Sequence, residues 1–443
     1  MLAILPLSRD EIAQRIFRAG VVGAGGAGFP THIKARSRAE IVIANGCECE
    51  PLVQSDRFVL NEMPGDVLEG LNLMMISCGA SRGIVAVRDG VDVGGIEKAL
   101  GEYSGIELMR VPNTYPAGDE HILVYECTGR IVPQGGIPID VGVVVSNVNT
   151  LVNVRRSMLG EPVITRVITV CGDIENPCIT EVPIGTSVGD VLRLTGNSVD
   201  LSRKAILVGG VMMGEICWDI SRPIDKRTGA VVVLPKGNRV VEAKSLSLEK
   251  MIRRAASICC QCTFCTEMCP RHLMGHAIQP HRIMRAMSWM THQKMDLAGS
   301  LLCCGCGLCG AYVCPMGLSP DRISFTVRST LLEMGVKPEP SQAKVSGLRA
   351  SRLVPHGKVL MRTGTLEFDR HLRFVSIPLP ERVSIPLHQH SGLPAKPLVS
   401  EGVEVKKGQL VGIAEEGKIS ANVHASIDGI VEHVNGSIVI RKS

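Results

Sequence analysis

Two cysteine runs constrain this chain more than any other feature. The first, Cys259 to Pro270, spaces thiols as C-x2-C-x2-C-x3-C-P at Cys259, Cys262, Cys265 and Cys269. The second, Cys303 to Pro315, repeats the pattern at Cys303, Cys306, Cys309 and Cys314, with one extra residue before the last cysteine. This is the ligand pattern of bacterial [4Fe–4S] proteins. Three closely spaced thiolates hold three corners of one cube, and the fourth, followed by proline, serves the other cube. The spacing therefore predicts crossed ligation. Cys259, Cys262, Cys265 and Cys314 would hold one cluster, and Cys303, Cys306, Cys309 and Cys269 the other. Paired CxxC motifs also suit an all-cysteine zinc site. Zinc, however, needs only four ligands and has no use for two matched quartets each closed by Cys-Pro. Cys260 and Cys304 break the spacing and read as bystanders. A chain built around such runs carries electrons.

Length and composition narrow the class. The 443 residues are enough for about three domains. Aromatic residues make up only 3%, which argues against nucleic-acid binding through base stacking. The net charge of +5 is spread among interspersed acids and bases rather than gathered into a stripe. Seventeen cysteines point to a reducing compartment and to metal rather than disulfides. Met1 to Leu7 is too short an apolar stretch for a signal peptide. No run of eighteen apolar residues occurs, so no membrane span is expected.

Along the chain, Ser8 to Arg18 reads as a helix, with Ser8 and Glu11 at capping-box positions and Ile12, Ile16 and Phe17 as its apolar stripe. Next comes a loop with glycines at 23, 25, 26 and 28, where backbone without Cβ atoms can approach something flat or phosphorylated. Alone it is a weak signal, and Pro30 breaks the usual dinucleotide-binding order. Ile41 to Ala44 is a short buried strand running into Asn45-Gly46-Cys47-Glu48-Cys49-Glu50. Later come Tyr115-Pro116-Ala117-Gly118-Asp119-Glu120 and Val143-Val144-Val145-Ser146-Asn147-Val148-Asn149-Thr150.

These four stretches resemble the flavin-binding subunit of respiratory complex I and its relative, the C subunit of the Rnf ion-pumping complex. The resemblance implies an FMN lined by Gly23, Gly25, Lys34, Asn45 and Glu48, closed by Tyr115, Gly118 and Glu120. Asn147 and Thr150 would hold the ribityl phosphate. Amide, hydroxyl and lysine donors suit an anionic phosphate and the flavin carbonyls. Cys47, Asp119 and Ser146 depart from the family's aspartate, glutamate and asparagine. The resemblance also implies NADH as electron donor, contacted by Phe29 and Glu50, although Ser37 replaces a second stacking aromatic. Structurally, Phe29 could equally be core and Glu50 a cap.

From Pro162 to Pro235 short β runs at 163–170, 179–182, 205–208 and 230–234 flank one helix, Val188–Leu194. This resembles the SLBB β-grasp module. Met212 and Met213 within it read as core. Leu246 to Ile258 is helical, and Ile278, Ile283, Met284, Met287 and Met290 recur at helical spacing. His272, His276 and His281 read as surface or cap residues. Lys337 to Phe374 reads as a linker with little core, and the alternating strands from Val375 onward resemble the barrel-sandwich hybrid of lipoyl and biotinyl carriers.

The fold expected is a multidomain α/β and β protein. It comprises an FMN-binding α/β domain (1–160), an SLBB β-grasp domain (161–240), a helical two-cluster ferredoxin domain (245–335), a linker (336–374) and a C-terminal barrel-sandwich hybrid (375–443). That order, with Cys269-Pro270-Arg271-His272-Leu273-Met274-Gly275-His276 and His424-Ala425-Ser426-Ile427-Asp428-Gly429, resembles the cobalamin reductases of propanediol-utilising bacterial microcompartments. The resemblance implies a cytoplasmic, encapsulated oxidoreductase that reduces a corrinoid beside an adenosyltransferase and shell proteins. The competing reading is an Rnf C-like protein handing electrons to ferredoxin or a membrane partner.

Overall fold

A computed structural model describes residues 7–289, 297–415 and 417–443. The stretch Met1 to Pro6 and Met290 lie outside those residues. Helix α1 (Arg9–Arg18) starts where expected. The Ser8 Oγ accepts from the Glu11 amide, and the Glu11 carboxylate accepts from the Ser8 amide at 2.9 Å. It buries Ile12, Ala13 and Ile16. Four parallel strands follow: β1 (Ile41–Asn45), β2 (Arg82–Arg88), β3 (Ile106–Val111) and, after the two-residue β4 (Thr114–Tyr115), β5 (Val143–Asn147). Their order is β3-β2-β1-β5, with Asn45 in register with Asn147. The chain thus leaves β1 toward one edge and returns to pair on its other side. In open α/β sheets the crevice beyond the carboxyl ends of strands at such a reversal is where ligands bind. Helices Pro64–Cys78 and Val148–Met158 pack so closely that a Cβ on Gly70 would lie 2.1 Å from the Leu151 carbonyl oxygen, so only glycine fits there.

The β-rich stretch supplies β6 (Thr165–Gly172), β7 (Cys178–Pro183), β8 (Lys204–Val208), β9 (Glu215–Ile216) and β10 (Ala230–Pro235), with helix Val188–Leu194 at the expected residues. The sheet runs β12-β7-β6-β10-β8-β9, where β12 is Arg373–Phe374, beyond β11 (Val354–Pro355). Residues 336–374 therefore do more than link. β11 pairs with β4, and helix His356–Thr363 buries Val359 and Leu360. The buried residues sit in short runs such as Val359-Leu360, broken by charges, prolines and glycines, and this hid the packing from a reading by composition.

The cysteine runs are carried by short helices, Leu248–Ile258, Phe264–Glu267, Pro280–Trp289 and Pro320–Glu333. Two small antiparallel sheets close the chain. Their apolar residues Val383, Ile385, Val411 and Ile440 belong to the same continuous core as Ile12 and Leu71. At the junction of three units the buried Lys226 Nζ donates to the carbonyls of Gly20 at 2.7 Å and Asn422 at 2.8 Å. Among the described residues no helix is long and apolar enough to cross a membrane.

Candidate functional site

The glycine loop lies over the sheet reversal. Gly23 N–H donates to the Phe29 carbonyl at 2.9 Å and closes the loop. Thr150 Oγ1 accepts from Ala24 N–H at 2.9 Å and ties it to the first turn of the helix after β5. A Cβ on Gly25 would meet Asn147 at 3.5 Å, whereas one on Gly26 would meet nothing within 4 Å. Gly26 has φ +105°, which L side chains rarely adopt. The loop therefore presents bare backbone to open space.

Lys34 Nζ donates to the Val145 carbonyl at 2.7 Å and to Glu120 at 3.1 Å. Asn45 Nδ2 donates to the Gly118 carbonyl at 3.0 Å. A Cβ on Gly118 would lie 2.7 Å from the Cys47 carbonyl oxygen. The buried Ser146 hydroxyl, beside Lys34's acceptor, has no partner. A half-buried ammonium, two amides, an orphaned hydroxyl and a helix N-terminus fit a phosphorylated flavin.

Other predicted residues face elsewhere. Glu48 accepts from Ser55 Oγ, Asp56 N–H and Arg57 N–H at the start of helix Ser55–Glu62. Burial, then Asp56, pushes its carboxyl up to about 8. Asp56 in turn accepts from Asn147 and Asn149, each at 2.7 Å. Glu50 is pinned by the amides of Met212 at 2.5 Å and Met213 at 2.9 Å, and burial pushes it up to about 7. Its second oxygen has no partner. Phe29 is half-buried at the loop's end. Tyr115 is buried, and its hydroxyl donates to the Cys306 carbonyl at 2.5 Å. That bond joins the flavin-side sheet to the second cysteine run.

The thiols line two clefts. Cys259, Cys262, Cys265 and Cys314 wall one, and Cys269, Cys303, Cys306 and Cys309 the other. Burial pushes the Cys265 thiol up to about 12, with Cys314, Cys262 and Cys259 as its next causes. Cys309 is raised by burial and then by Asp321, Cys269, Cys303 and Cys265, so the clefts are neighbours. Thiols raised as Cys265 and Cys309 are stay protonated when bare, whereas a cationic metal would hold them as thiolates. The residues therefore fit two clusters. Among the described residues no three His, Cys, Asp or Glu side chains converge as a single-ion site would require. Cys260 lines the first cleft and Cys304 the second.

Sequence reasoning missed the ties around these sites. Arg271, two residues beyond Cys269, forks onto Asp119 at 2.8 and 3.2 Å. His276 is buried rather than on the surface, its ring edge-on to His121 at 5.3 Å. Ser391 of the C-terminal unit holds the glycine loop, donating from its amide to Gly28 at 3.0 Å and from its hydroxyl to Ala27 at 2.7 Å. These contacts span most of the chain, and no local motif announces them.

Residues 16–156 match the Nuo51 FMN-binding domain, 258–319 a 4Fe-4S dicluster domain and 366–443 the RnfC barrel sandwich hybrid domain. Over 97% of this chain and 96% of the relative, the sequence is 34% identical to cobalamin reductase PduS of Salmonella typhimurium. The Citrobacter freundii protein of that name is also 34% identical, over 96% and 95%. The C subunit of the Na+-translocating ferredoxin:NAD+ oxidoreductase complex of Acetobacterium woodii is 34% identical over 60% of this chain and 59% of its own length. An NAD+-reducing [NiFe]-hydrogenase, in its air-oxidized crystal structure, shares the fold with a TM-score of 0.51 at 22% identity, over 82% of this chain and 68% of that one.

Proposed function

Because the chain belongs to the cobalamin reductase family and is an oxidoreductase with an FMN-binding domain and a 4Fe-4S dicluster domain, we propose that it uses NADH to reduce the cobalt of a corrinoid. FMN, when bound, would supply two-electron hydride acceptance and one-electron release, and each [4Fe–4S] cluster would supply one-electron transfer. The chain's residues bind, orient and insulate.

Lys34, held by Val145 and Glu120, supplies positive charge to the anionic cofactor, and Gly23, Gly25, Asn45, Gly118, Asn147 and Thr150 shape the shelf. Phe29 faces the nicotinamide. Glu50 braces the shelf against the Met212–Met213 turn rather than receiving substrate directly. Cys259, Cys262, Cys265 and Cys314 ligate one cluster, and Cys303, Cys306, Cys309 and Cys269 the other. Residues 161–240 form an SLBB β-grasp unit between the flavin domain (1–160) and the helical cluster domain (245–335), and 375–443 form the closing barrel-sandwich hybrid. The protein works in the cytoplasm inside a bacterial microcompartment, with adenosyltransferase and shell proteins as neighbours.

The observation carrying this reading is the bond from Tyr115 to Cys306, which couples the flavin shelf to a thiol cleft through one side chain. Reconstituted protein should oxidise NADH and reduce cob(III)alamin to cob(II)alamin. Cys265→Ala should keep its flavin and NADH-dependent bleaching while slowing cobalamin reduction. A wild-type rate in that variant would refute the relay. Failure to reduce any corrinoid, with electrons passing to ferredoxin instead, would favour the Rnf C-like reading.

A further inference from the structure

The two thiol clefts are not equivalent. Cys306 accepts the Tyr115 hydroxyl, Arg271 beside Cys269 is forked onto Asp119, and the Gly307 backbone abuts the Met212 carbonyl, with a Cβ there 3.1 Å away. Leu308 and Val313 are buried in the same apolar cluster as Tyr115, Cys47 and Ala117. Cys306 of this quartet is thus packed into the flavin-side unit, while Cys269 and Cys303 pack among the helices with Ile278 and Val327. Of the other quartet, Cys314 lies in a separate helical core with Met251 and Ile323, and Cys259 packs against it. Met316 lines that quartet's cleft, Ile258 and Phe264 directly precede the lining cysteines Cys259 and Cys265 in the chain, and the three are 40%, 39% and 48% exposed. Large apolar side chains left in water around a redox cleft mark an interaction surface.

The border of that rim is basic. Arg254 is exposed one helical turn before Ile258, which places the two on one face. Lys250 and Arg253 on the same helix are exposed, with Glu249 as Arg253's partner, and exposed Arg285 donates to Gln261 at 3.1 Å.

We infer that the Cys303 quartet is the inner site and the Cys259 quartet the exit, and that the Ile258–Phe264–Met316 rim docks an electron-accepting protein whose contact face is apolar at its centre and acidic at its edge. This rests on the two-cluster relay proposed above, but it can be tested without NADH or corrinoid. A small dissolved acceptor would need neither the apolar rim nor the charged border. Opposite charge on a protein partner steers its approach and orients it.

Dithionite-reduced protein should show two cluster EPR signals. Loss of one in Cys262→Ser and of the other in Cys306→Ser assigns them. Tyr115→Phe keeps every thiol and should perturb only the inner signal, giving a second assignment should a cysteine variant misfold. A dissolved dysprosium chelate should speed relaxation of the Cys262-dependent signal and spare the Cys306-dependent one. Equal relaxation, or faster relaxation of the inner signal, overturns the order. For the partner, an acidic b-type cytochrome and basic cytochrome c serve as probes. Arg254→Glu should slow electron delivery to the acidic cytochrome by roughly tenfold at low salt, with added salt slowing the wild type likewise, while delivery to cytochrome c does not fall. Rates to the acidic probe that ignore both charge reversal and salt would overturn the docking face. A protein that fails to oxidise NADH or reduce cobalamin yet passes these tests would lose the proposed reaction and keep the exit.

Discussion

Glu50→Gln separates a brace from a substrate contact. In the folded protein the Glu50 carboxylate takes two amides from the Met212–Met213 turn and is otherwise buried, which raises it from the usual 4.5 to about 7. Between those values the folded chain holds a proton that an opened chain releases. Stability of the joint is therefore fully present below about pH 4.5 and is lost as pH rises through about 7. At 1.36 kcal/mol for each tenfold, the interval is worth about 3 kcal/mol, or roughly 300-fold in the opening equilibrium. Glutamine keeps an acceptor for both amides and removes the titration. Hydrogen exchange of residues 209–214, corrected for the intrinsic pH dependence of exchange, is the assay. Wild-type protection should fall by roughly 80-fold between pH 5 and pH 9, the part of that factor that remains above pH 5, while Glu50→Gln should stay level and become the better protected form above pH 8. Parallel curves for the two proteins, or a variant whose only defect is a raised KM for NADH, would refute the reasoning and return Glu50 to the nicotinamide.

Lys34→Ala removes the cation at the flavin shelf. FMN should be held about tenfold more weakly, about 1.4 kcal/mol, as read by fluorescence of released flavin, and unchanged retention would remove Lys34 from the site. Burial lowers Lys226 from its usual 10.5 to about 7, so an unfolded chain keeps a proton that the folded one has lost, and wild-type stability should climb from pH 7 toward pH 10. Lys226→Met should be less stable overall, with two carbonyls left unpaired, and should lack that climb in thermal unfolding. Lys418 is exposed in the turn between two C-terminal strands, but Glu416-Gly417-Lys418-Ile419 lacks the acid–lysine–alanine tip of carrier domains. Intact mass from the native host should show it unmodified, and an added lipoyl or biotinyl mass would contradict this.

What the sequence made legible was local. The Ser8–Glu11 capping box, the apolar run 41–44, helix Val188–Leu194 and the cysteine spacing each depend on neighbours a few residues apart, and each lies where expected. Around the glycine loop the expected residues part company: Lys34 meets Glu120 and Thr150 ties down the loop at Ala24, while Glu48 turns into the next helix and Tyr115 reaches toward the cysteines. What stayed hidden are partners far apart in sequence, such as Asp56 with Asn149 and Arg271 with Asp119. Their pairing follows from how the sheets and helices stack, not from either residue's surroundings in the chain. Residues 336–374 hid for the same reason, since Val354, Val359, Leu360 and Leu372 are buried by elements distant in sequence.

The central claim is that the chain holds two cubes through crossed quartets of thiolates. Anaerobic iron and acid-labile sulfide analysis of the native protein, with EPR of its reduced form, tests it most directly. About eight irons and about eight sulfides per chain with two interacting reduced-cluster signals are predicted. About four irons with a single signal, or zinc in place of iron, would contradict it.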